Sequence, residues 1–437
     1  MGSISHKEAQ RARQVIVAWK CLSQILPPRD ADKAYWWKLT GWQLAVMLDE
    51  TGYSLAEQYE ALLFHYHWTV PYFGSGPGLN GPAVWTSLLG PDGSPDEYSW
   101  KWNEKPESHP TIRYSIEPIS QASGTSLDPL NQLAAGEIIH RLANQVPGGN
   151  LQWTEHFLAT LFDHDKSKYV QEAADGAHYT TTSMLAVEFN PSSPVSFKSY
   201  FIPRKLGQGK SLIPLPLWKD SLSQLQSDNP ARDVVYDFIE TSSQGPKLVP
   251  IFASAYEIMT LGGRVPMSDS QKEQLRTLIH AVVDTPRDFP EGENVPRTRN
   301  YNPAAQDNFV EIPELLTGYI YYFDMAPTSK TPDVKLYIPT RHIGPDDLTI
   351  ALNLVLWMKK NGRGGYEERY MNMLKGLAEH RRLDSGKGLQ TYIGIMLRKN
   401  GALDVTSYLG AEAFDPARTV GLKAEKKRKT AVGFADY

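Results

Sequence analysis

The sequence contains one cysteine, Cys21, so no internal disulfide can form. It has no apolar run close to the roughly 20 residues that span a bilayer, and its N-terminus lacks the apolar core of a signal peptide. Lysine and arginine number 45 against 49 aspartate and glutamate residues, so no net positive charge attracts nucleic acid. These absences predict a soluble, cytoplasmic protein that binds neither a membrane nor a nucleic acid.

Motifs for several common cofactors are incomplete. Residues 207–211 (GQGKS) end like a phosphate-binding loop, but Arg204 stands where that loop requires its first glycine. No Asp-Asp-x-x-Asp motif is present, which excludes the magnesium clamp of a terpene synthase. His65 and His67 would point apart on a helix, which argues against a shared metal. We therefore predict no cofactor and no metal.

Helical and strand-like segments alternate along the chain. The first 70 residues carry apolar residues at helical spacing. Four pairs of strand-like segments follow, with helical segments between them: 96–103 with 111–118, 183–190 with 196–203, 318–325 with 333–340, and 389–399 with 404–409. One further candidate strand, residues 247–254 (KLVPIFAS), has no partner. The pairs predict antiparallel hairpins set between helices.

The second strands of three pairs share a pattern. A cation or hydroxyl is followed two residues later by a tyrosine: Lys198 and Tyr200, Lys335 and Tyr337, Thr406 and Tyr408. Residues two apart in a strand lie on the same face. If the strands close into a barrel, this face could line the lumen, where buried cations would require an anion. The alternative is that this face is solvated and the aromatic side chains lie outside, under the helices.

Six stretches resemble, in order, the signatures of the dimethylallyltryptophan synthase (DMATS) family of fungal aromatic prenyltransferases: PDEYSWKWN, TIRYSIEP, GTSLDPLN, FKSYFIP, TLGGR and VKLYIPTRH. The resemblance extends from Tyr35 to Leu409. It implies the ABBA fold, an α/β architecture of αββα repeats whose strands form a closed antiparallel barrel ringed by helices. It also implies metal-independent transfer of a dimethylallyl group from dimethylallyl diphosphate to an indole or tryptophan-derived acceptor, in secondary metabolism such as alkaloid biosynthesis.

The resemblance assigns roles to individual residues. Glu97 is implied as the catalytic carboxylate, which accepts the indole N–H and stabilises the positive charge that develops on the ring. Four cations are implied as the diphosphate-binding set: Arg113, Lys198, Lys335 and Arg398. Four tyrosines are implied as a shield around the allyl cation, stabilised by cation–π attraction: Tyr200, Tyr337, Tyr392 and Tyr408.

The third repeat departs from the family pattern. Family members follow the strand that corresponds to residues 247–254 with an Arg-x-Lys-x-Tyr strand. Here residues 255–259 (AYEIM) lead directly into TLGGR, which leaves no room for that strand. We therefore predict a shortened third repeat that lacks one arginine, one lysine and one shield tyrosine. Two hypotheses follow: an active aromatic prenyltransferase, or a divergent member that binds an aromatic metabolite without transferring a prenyl group.

The predicted organisation is simple. A helical N-terminal segment covers residues 1–34, a single ABBA prenyltransferase domain covers residues 35–415, and a basic tail covers residues 416–437. The sequence agrees with either a monomer or a homodimer.

Overall fold

The computed structural model describes most of the chain and shows one curled antiparallel sheet with helices on its outer face. None of the helices within the described residues has the length and apolar content needed to cross a bilayer. The described residues are 16–77, 85–146, 150–174, 181–190, 195–207, 215–225, 230–241, 251–286, 288–290, 320–324, 330–341, 343–398 and 402–419.

The sheet contains the four predicted hairpins. In the described residues its strand order is β4-β3-β2-β1-β8-β7-β6-β5, and every neighbouring pair is antiparallel. The β1–β8 pairing joins the first hairpin to the last. The strands are β1 Asp96–Lys101, β2 Thr111–Ile116, β3 Ser183–Phe189, β4 Ser196–Phe201, β5 Ile320–Asp324, β6 Asp333–Ile338, β7 Gln390–Leu397 and β8 Leu403–Gly410.

The helices precede, separate and follow the hairpins. They are α1 Val17–Ile25, α2 Ala31–Trp36, α3 Trp42–Thr51, α4 Leu55–Phe64, α5 Leu133–Ala143, α6 Gln152–Leu161, α7 Tyr169–Ala174, α8 Leu215–Gln224, α9 Pro230–Thr241, α10 Ile251–Met259, α11 Asp269–Val283, α12 Asp347–Lys360 and α13 Glu367–Leu377. π-Helical turns at Trp37–Gly41 and His65–Thr69 continue α2 and α4. The predicted N-terminal helices are therefore present within the described residues.

The prediction of a strand at residues 247–254 was wrong for its second half. Residues 251–254 begin α10 (Ile251–Met259), and residues 247–250 lie outside the described part. Phe252, Ala255 and Met259 are buried, and this spacing of three and four residues is helical rather than strand-like. The strand-like start of the segment masked this period in the sequence.

The two faces of the sheet differ in chemistry because side chains alternate along each strand. The outer face carries large apolar residues, among them Trp100, Tyr114 and Leu336, which are buried in the core beneath the helices. Helix α3 packs on β2, α5 on β3 and α10 on β6. The inner face carries polar residues and has none of the described helices packed on it. It therefore encloses a lumen.

The sheet curls until its two edge strands meet through side chains. Lys198 Nζ of β4 lies 3.8 Å from Asp324 Oδ2 of β5, and the ring centroids of Tyr200 and Tyr322 are 5.7 Å apart. Residue 198 opposite 324 and residue 200 opposite 322 is an antiparallel register. The described residues contain no strand between β4 and β5. We call this junction, defined by these four residues, the seam; it lies where the shortened third repeat was predicted.

Candidate active site

The inner face of the sheet forms a buried polar lumen. Glu97 is only 6% exposed, Lys335 5% and Tyr408 2%. These side chains are therefore not solvated, and the lumen alternative from the sequence is the correct one. Along the strands the lumen has a closed end at Glu97, a centre at Tyr408, and an open end where the side chains of Lys101 and Arg398 are partly exposed.

A loop closes the lumen at the Glu97 end. Glu117, just after β2, accepts hydrogen bonds from Trp85 Nε1 at 2.6 Å, from Asn131 Nδ2 at 3.0 Å and from Thr181 Oγ1. Thr181 Oγ1 also accepts the backbone N–H of Leu88 at 2.8 Å. Burial raises the pKa of Glu117 to about 6, although these hydrogen bonds oppose the shift. This network anchors the loop at the end of the lumen where Glu97 is buried.

A β-bulge in β7 directs two consecutive residues into the lumen. The register with β8 shifts between Gln390 and Tyr392, so Thr391 is an extra residue on this strand. Thr391 Oγ1 donates a hydrogen bond to Glu97 Oε1. Tyr392 also reaches the lumen, where its ring contacts that of Tyr337 at a centroid distance of 6.0 Å. The bulge thus supplies both a partner for the carboxylate and one wall of the site.

Glu97 is a carboxyl group with an unusual proton affinity. Burial raises its pKa to about 7, while the hydrogen bond from Thr391 and the charges of Arg341, Arg113 and Lys335 oppose the shift. Only one of its oxygens accepts a hydrogen bond from Thr391, so the group retains capacity to accept another. A carboxyl group with this pKa is a stronger base than a solvated carboxylate and suits a ring N–H or O–H donor.

Two cations converge on one tyrosine at the centre of the lumen. Tyr408 Oη accepts hydrogen bonds from Arg113 Nη2 and from Lys335 Nζ, the latter at 2.6 Å. Arg113 Nε also donates to Ser99 Oγ at 3.2 Å. Among the described residues, no carboxylate forms an ion pair with Arg113 or Lys335. Two cations inside the lumen that are held by neutral hydroxyls, Lys335 buried and Arg113 partly buried, form a site for an anion.

Lys335 reaches Tyr408 because the residue between them is a glycine. A Cβ atom on Gly394 would lie 2.8 Å from both Lys335 Cε and Tyr408 Cε2. The Lys335 Nζ lies 4.9 Å from the centroid of the Tyr408 ring and 5.3 Å from that of Tyr337. Burial lowers the pKa of Lys335 well below its ordinary value, and the charges of Arg113 and Lys198 lower it further. An incoming anion would oppose these effects and favour the charged amine.

Tyrosine rings continue from the centre of the lumen to the seam. The Tyr337 ring lies 5.1 Å from that of Tyr408 and 5.8 Å from that of Tyr322, which in turn contacts Tyr200 at 5.7 Å. Burial raises the pKa of Tyr408 to about 12. The Tyr408 phenol therefore remains neutral at physiological pH, and the rings of the row present electron-rich faces to the lumen.

The open end carries cations that are already paired. Asp404, which is buried, lies 3.2 Å from Lys101 Nζ and also forms an ion pair with Arg398. At the seam, Lys198 and Asp324 have side chains that are 50% and 52% exposed. The structure therefore separates the four predicted diphosphate ligands into two without a carboxylate ion pair among the described residues, Arg113 and Lys335, and two that are paired with one, Lys198 and Arg398. Their diphosphate-binding role stays a prediction, as do the roles of Glu97 and the tyrosines.

Arg341 is a buried cation of the lumen that the sequence did not single out. Its Nη2 donates to Tyr392 Oη at 2.5 Å, and its guanidinium carbon lies 4.8 Å above the Tyr392 ring. It also lowers the pKa of Glu97. The sequence did contain a signal: Lys335, Tyr337 and Arg341 are an even number of residues apart, so strand alternation would place all three on one face. Arg341 follows the end of β6, and the alternation was not extended that far.

Comparison with known proteins agrees with this architecture. The family described as tryptophan dimethylallyltransferase matches residues 32–255 and 249–373. Prenyltransferase anuH of Penicillium roqueforti is 48% identical, with 94% of this chain and 96% of that protein covered. Xanthone prenyltransferase B of Emericella nidulans is 39% identical, with 94% of each covered.

Solved structures show the same fold. AnaPT from Neosartorya fischeri has a TM-score of 0.72 at 19% identity, covering 90% of this chain and 97% of that one. PriB, in a ternary complex with L-tryptophan and dimethylallyl thiolodiphosphate, has a TM-score of 0.60 at 17% identity, covering 86% and 96%. The predicted ABBA fold is thereby confirmed.

The comparisons also bear on the third repeat. The alignment with anuH is 437 positions long. It includes only 94% of the 437 residues of this chain, so some of its positions are gaps in this chain. The family match is divided into two stretches that meet at residues 249–255, immediately around the start of α10. The family match is therefore divided where the sequence was predicted to depart from the family pattern.

Proposed function

This chain belongs to the tryptophan dimethylallyltransferase family and is a prenyltransferase of the DMATS type, and we propose that it transfers a dimethylallyl group from dimethylallyl diphosphate to an aromatic ring held at Glu97. One observation carries the proposal: a buried carboxyl group, an anion site of two cations, and a row of tyrosine rings face one lumen. Glu97 is buried at its closed end. The relatives that are 39% and 48% identical over nearly the whole chain are prenyltransferases, which favours transfer over the binding-only alternative.

The donor half of the reaction follows from the charges. The allylic C–O bond breaks, and diphosphate leaves with the electron pair. Arg113 and Lys335 would bind the departing anion, because neither has a carboxylate partner among the described residues. Arg398 and Lys198 would assist only after exchanging their present partners, Asp404 and Asp324. The allyl cation would lie among the faces of the tyrosine rings, and each cation–π contact would stabilise it by about 0.5–2 kcal/mol.

The acceptor half of the reaction follows from Glu97. The ring donates its N–H or O–H to this carboxylate, which fixes the orientation of the ring and stabilises the positive charge that develops on it. A ring carbon attacks the allyl cation to form the C–C bond, and the arenium ion then passes its proton to the released diphosphate, which restores aromaticity. Tyr392, held by Arg341, would form the wall against which the acceptor stacks.

Two acceptor classes are candidates. The first is an indole or tryptophan-derived compound, which the sequence resemblance implied. The second is a hydroxylated aromatic, which the 39% identity to a xanthone prenyltransferase favours. A xanthone has no N–H, so its hydrogen-bond donor must be a ring hydroxyl. The raised pKa of Glu97, about 7, is also nearer to the pKa of a phenol, about 10, than the ordinary carboxyl value is.

A competition experiment tests the proposal. The purified protein is incubated, without added metal, with dimethylallyl diphosphate and equal amounts of tryptophan, a tryptophan-containing cyclic dipeptide and a dihydroxyxanthone. We expect a mass gain of one dimethylallyl group on one acceptor class, and loss of that product in Glu97→Gln. Intact, folded protein that consumes no donor with any acceptor would overturn the proposed function.

A further inference from the structure

We propose that Tyr322 of β5 is a further residue of the cation shield and joins, across the seam, the rings of Tyr200 and Tyr337. This inference rests on the proposed prenyl transfer. Tyr322 was not singled out from the sequence, where its segment reads as four consecutive residues of aromatic or aliphatic character, 320–323 (IYYF).

The register of the hairpin directs Tyr322 into the lumen. It stands opposite Lys335 in the β5–β6 pair, and Ile320 stands opposite Tyr337. Directly opposite residues of an antiparallel pair point to the same face. Because Lys335 bonds to Tyr408 at the centre of the lumen, Tyr322 shares that face.

Tyr322 also connects the tyrosine rings on the two sides of the seam. Its ring centroid lies 5.7 Å from that of Tyr200 on β4 and 5.8 Å from that of Tyr337 on β6. Tyr200 and Tyr337 were predicted as shield members; Tyr200 is on the edge strand β4, and Tyr337 is on β6, next to the other edge strand. Through Tyr322 their rings become one continuous row. The curling of the sheet thus brings the tyrosines of its two edges together.

The chemistry of Tyr322 suits a cation. Burial raises the pKa of its phenol well above the ordinary value, so the ring is neutral at physiological pH. Tyr322 interacts electrostatically with Arg113 and Tyr408, which places it within range of the anion site. A ring in this position would stabilise the allyl cation as the diphosphate departs and would also keep water away from it.

A graded substitution series distinguishes this role from simple packing. The series is Tyr322→Phe, phenylalanines with one to three ring fluorines at position 322, and Tyr322→Leu. Fluorination keeps the shape of the ring but weakens its electron-rich face. We expect Tyr322→Phe to retain most activity, and the rate of donor C–O cleavage to fall stepwise with fluorination. Tyr322→Leu should fall furthest, by about twofold to thirtyfold, with the KM for the acceptor unchanged.

The neighbouring tyrosine provides the control. The Tyr321 ring contacts Phe238 of α9 and Phe323, so it lies on the opposite face of β5. Tyr321→Leu should reduce thermal stability without changing the ratio of dimethylallyl alcohol to prenylated product, whereas Tyr322→Leu should raise that ratio. A wild-type protein that transfers the group while the fluorinated series shows no trend overturns the Tyr322 proposal alone. A wild-type protein that consumes no donor overturns the proposed function, and this inference with it.

Discussion

Two parts of the barrel wall contain the same kinds of residue and give them different properties. Every residue of β8 is buried, because this strand pairs with β1 and β7, whereas every residue of β4 is partly or largely exposed, because β4 pairs with β3 alone and meets β5 only across the seam. Arg113 is a partly buried cation held by Tyr408, while Lys198 is a half-exposed cation paired with Asp324. Where neighbouring strands pair through backbone hydrogen bonds, the wall thus contains an anion site. Where the two edge strands meet only through side chains, it contains a solvated ion pair.

The largest effect should separate the cations of these two parts. Arg113→Met removes from the centre of the lumen a cation that has no carboxylate ion pair among the described residues, and charge-assisted hydrogen bonds contribute about 1.5–3 kcal/mol each. We expect kcat/KM for the donor to fall by about 100-fold or more. Lys198→Met, at the seam, should reduce it by less than about tenfold, because this cation is solvated and already paired. Equal losses in the two variants would show that the seam binds diphosphate as strongly as the closed wall.

The carboxyl group at the closed end should give the next largest effect. Glu97 acts when ionised, so kcat/KM should rise with pH through about 7, the raised pKa of this group. Glu97→Gln should lose about 100-fold in activity and show no such rise. A wild-type profile that is already flat above pH 5 would contradict the raised pKa.

Stability provides an independent check on Glu97. Its pKa in the folded protein lies above the ordinary value of 4.5, so the wild-type protein should lose stability as pH rises from about 4.5 to 7. Denaturant unfolding of wild type and Glu97→Gln at pH 5 and pH 8 measures this difference. The variant should gain relative stability at pH 8, by an amount on the order of 3 kcal/mol.

A smaller effect should follow at Arg341, which positions Tyr392 at the closed end. Arg341→Met removes the hydrogen bond to Tyr392 and a charge that lowers the pKa of Glu97. We expect about a tenfold lower kcat and a pH–rate profile displaced to higher pH. Lowered activity with an unmoved profile would mean that Arg341 only supports packing.

Gly394 of β7 tests how closely the side chains of Lys335 and Tyr408 are packed. Gly394→Ala places a methyl group 2.8 Å from Lys335 and Tyr408, so we expect a loss of about 1–3 kcal/mol in the free energy of unfolding. Gly136→Ala, in α5, is the control, because a Cβ there meets nothing within 4 Å and should stabilise the helix by up to about 1 kcal/mol. Weakened donor binding should accompany only the Gly394 variant.

The smallest effect is expected at the seam itself. Lys198 and Asp324 are about half exposed, and pairs of this kind contribute about 0.2–1 kcal/mol. A double-mutant cycle with Lys198→Met and Asp324→Asn, measured by urea unfolding, should give a coupling energy in that range that decreases with added salt. A coupling of several kcal/mol would mean that this pair, rather than the aromatic contact beside it, holds the edges together.

Local patterns in the sequence were enough for the hairpins and for most of the lumen. The four strand pairs and the Lys-x-Tyr repeat depend on alternation along single strands, which a sequence displays directly. The same reasoning failed at residues 251–254, where an apolar run hid a helical period. It missed Thr391, because a bulge breaks the alternation that strand patterns assume.

The sequence by itself determined the family, the paired strands, and the residue types that line one face of each strand, because these depend on order and spacing along the chain. Only the tertiary structure decided which cations are buried without a carboxylate and which are paired. It also decided that β4 and β5 meet in register and that Tyr322 lies between Tyr200 and Tyr337. These outcomes depend on how far the sheet curls, and that curvature is set jointly by the eight strands of the described residues and the helices packed on them.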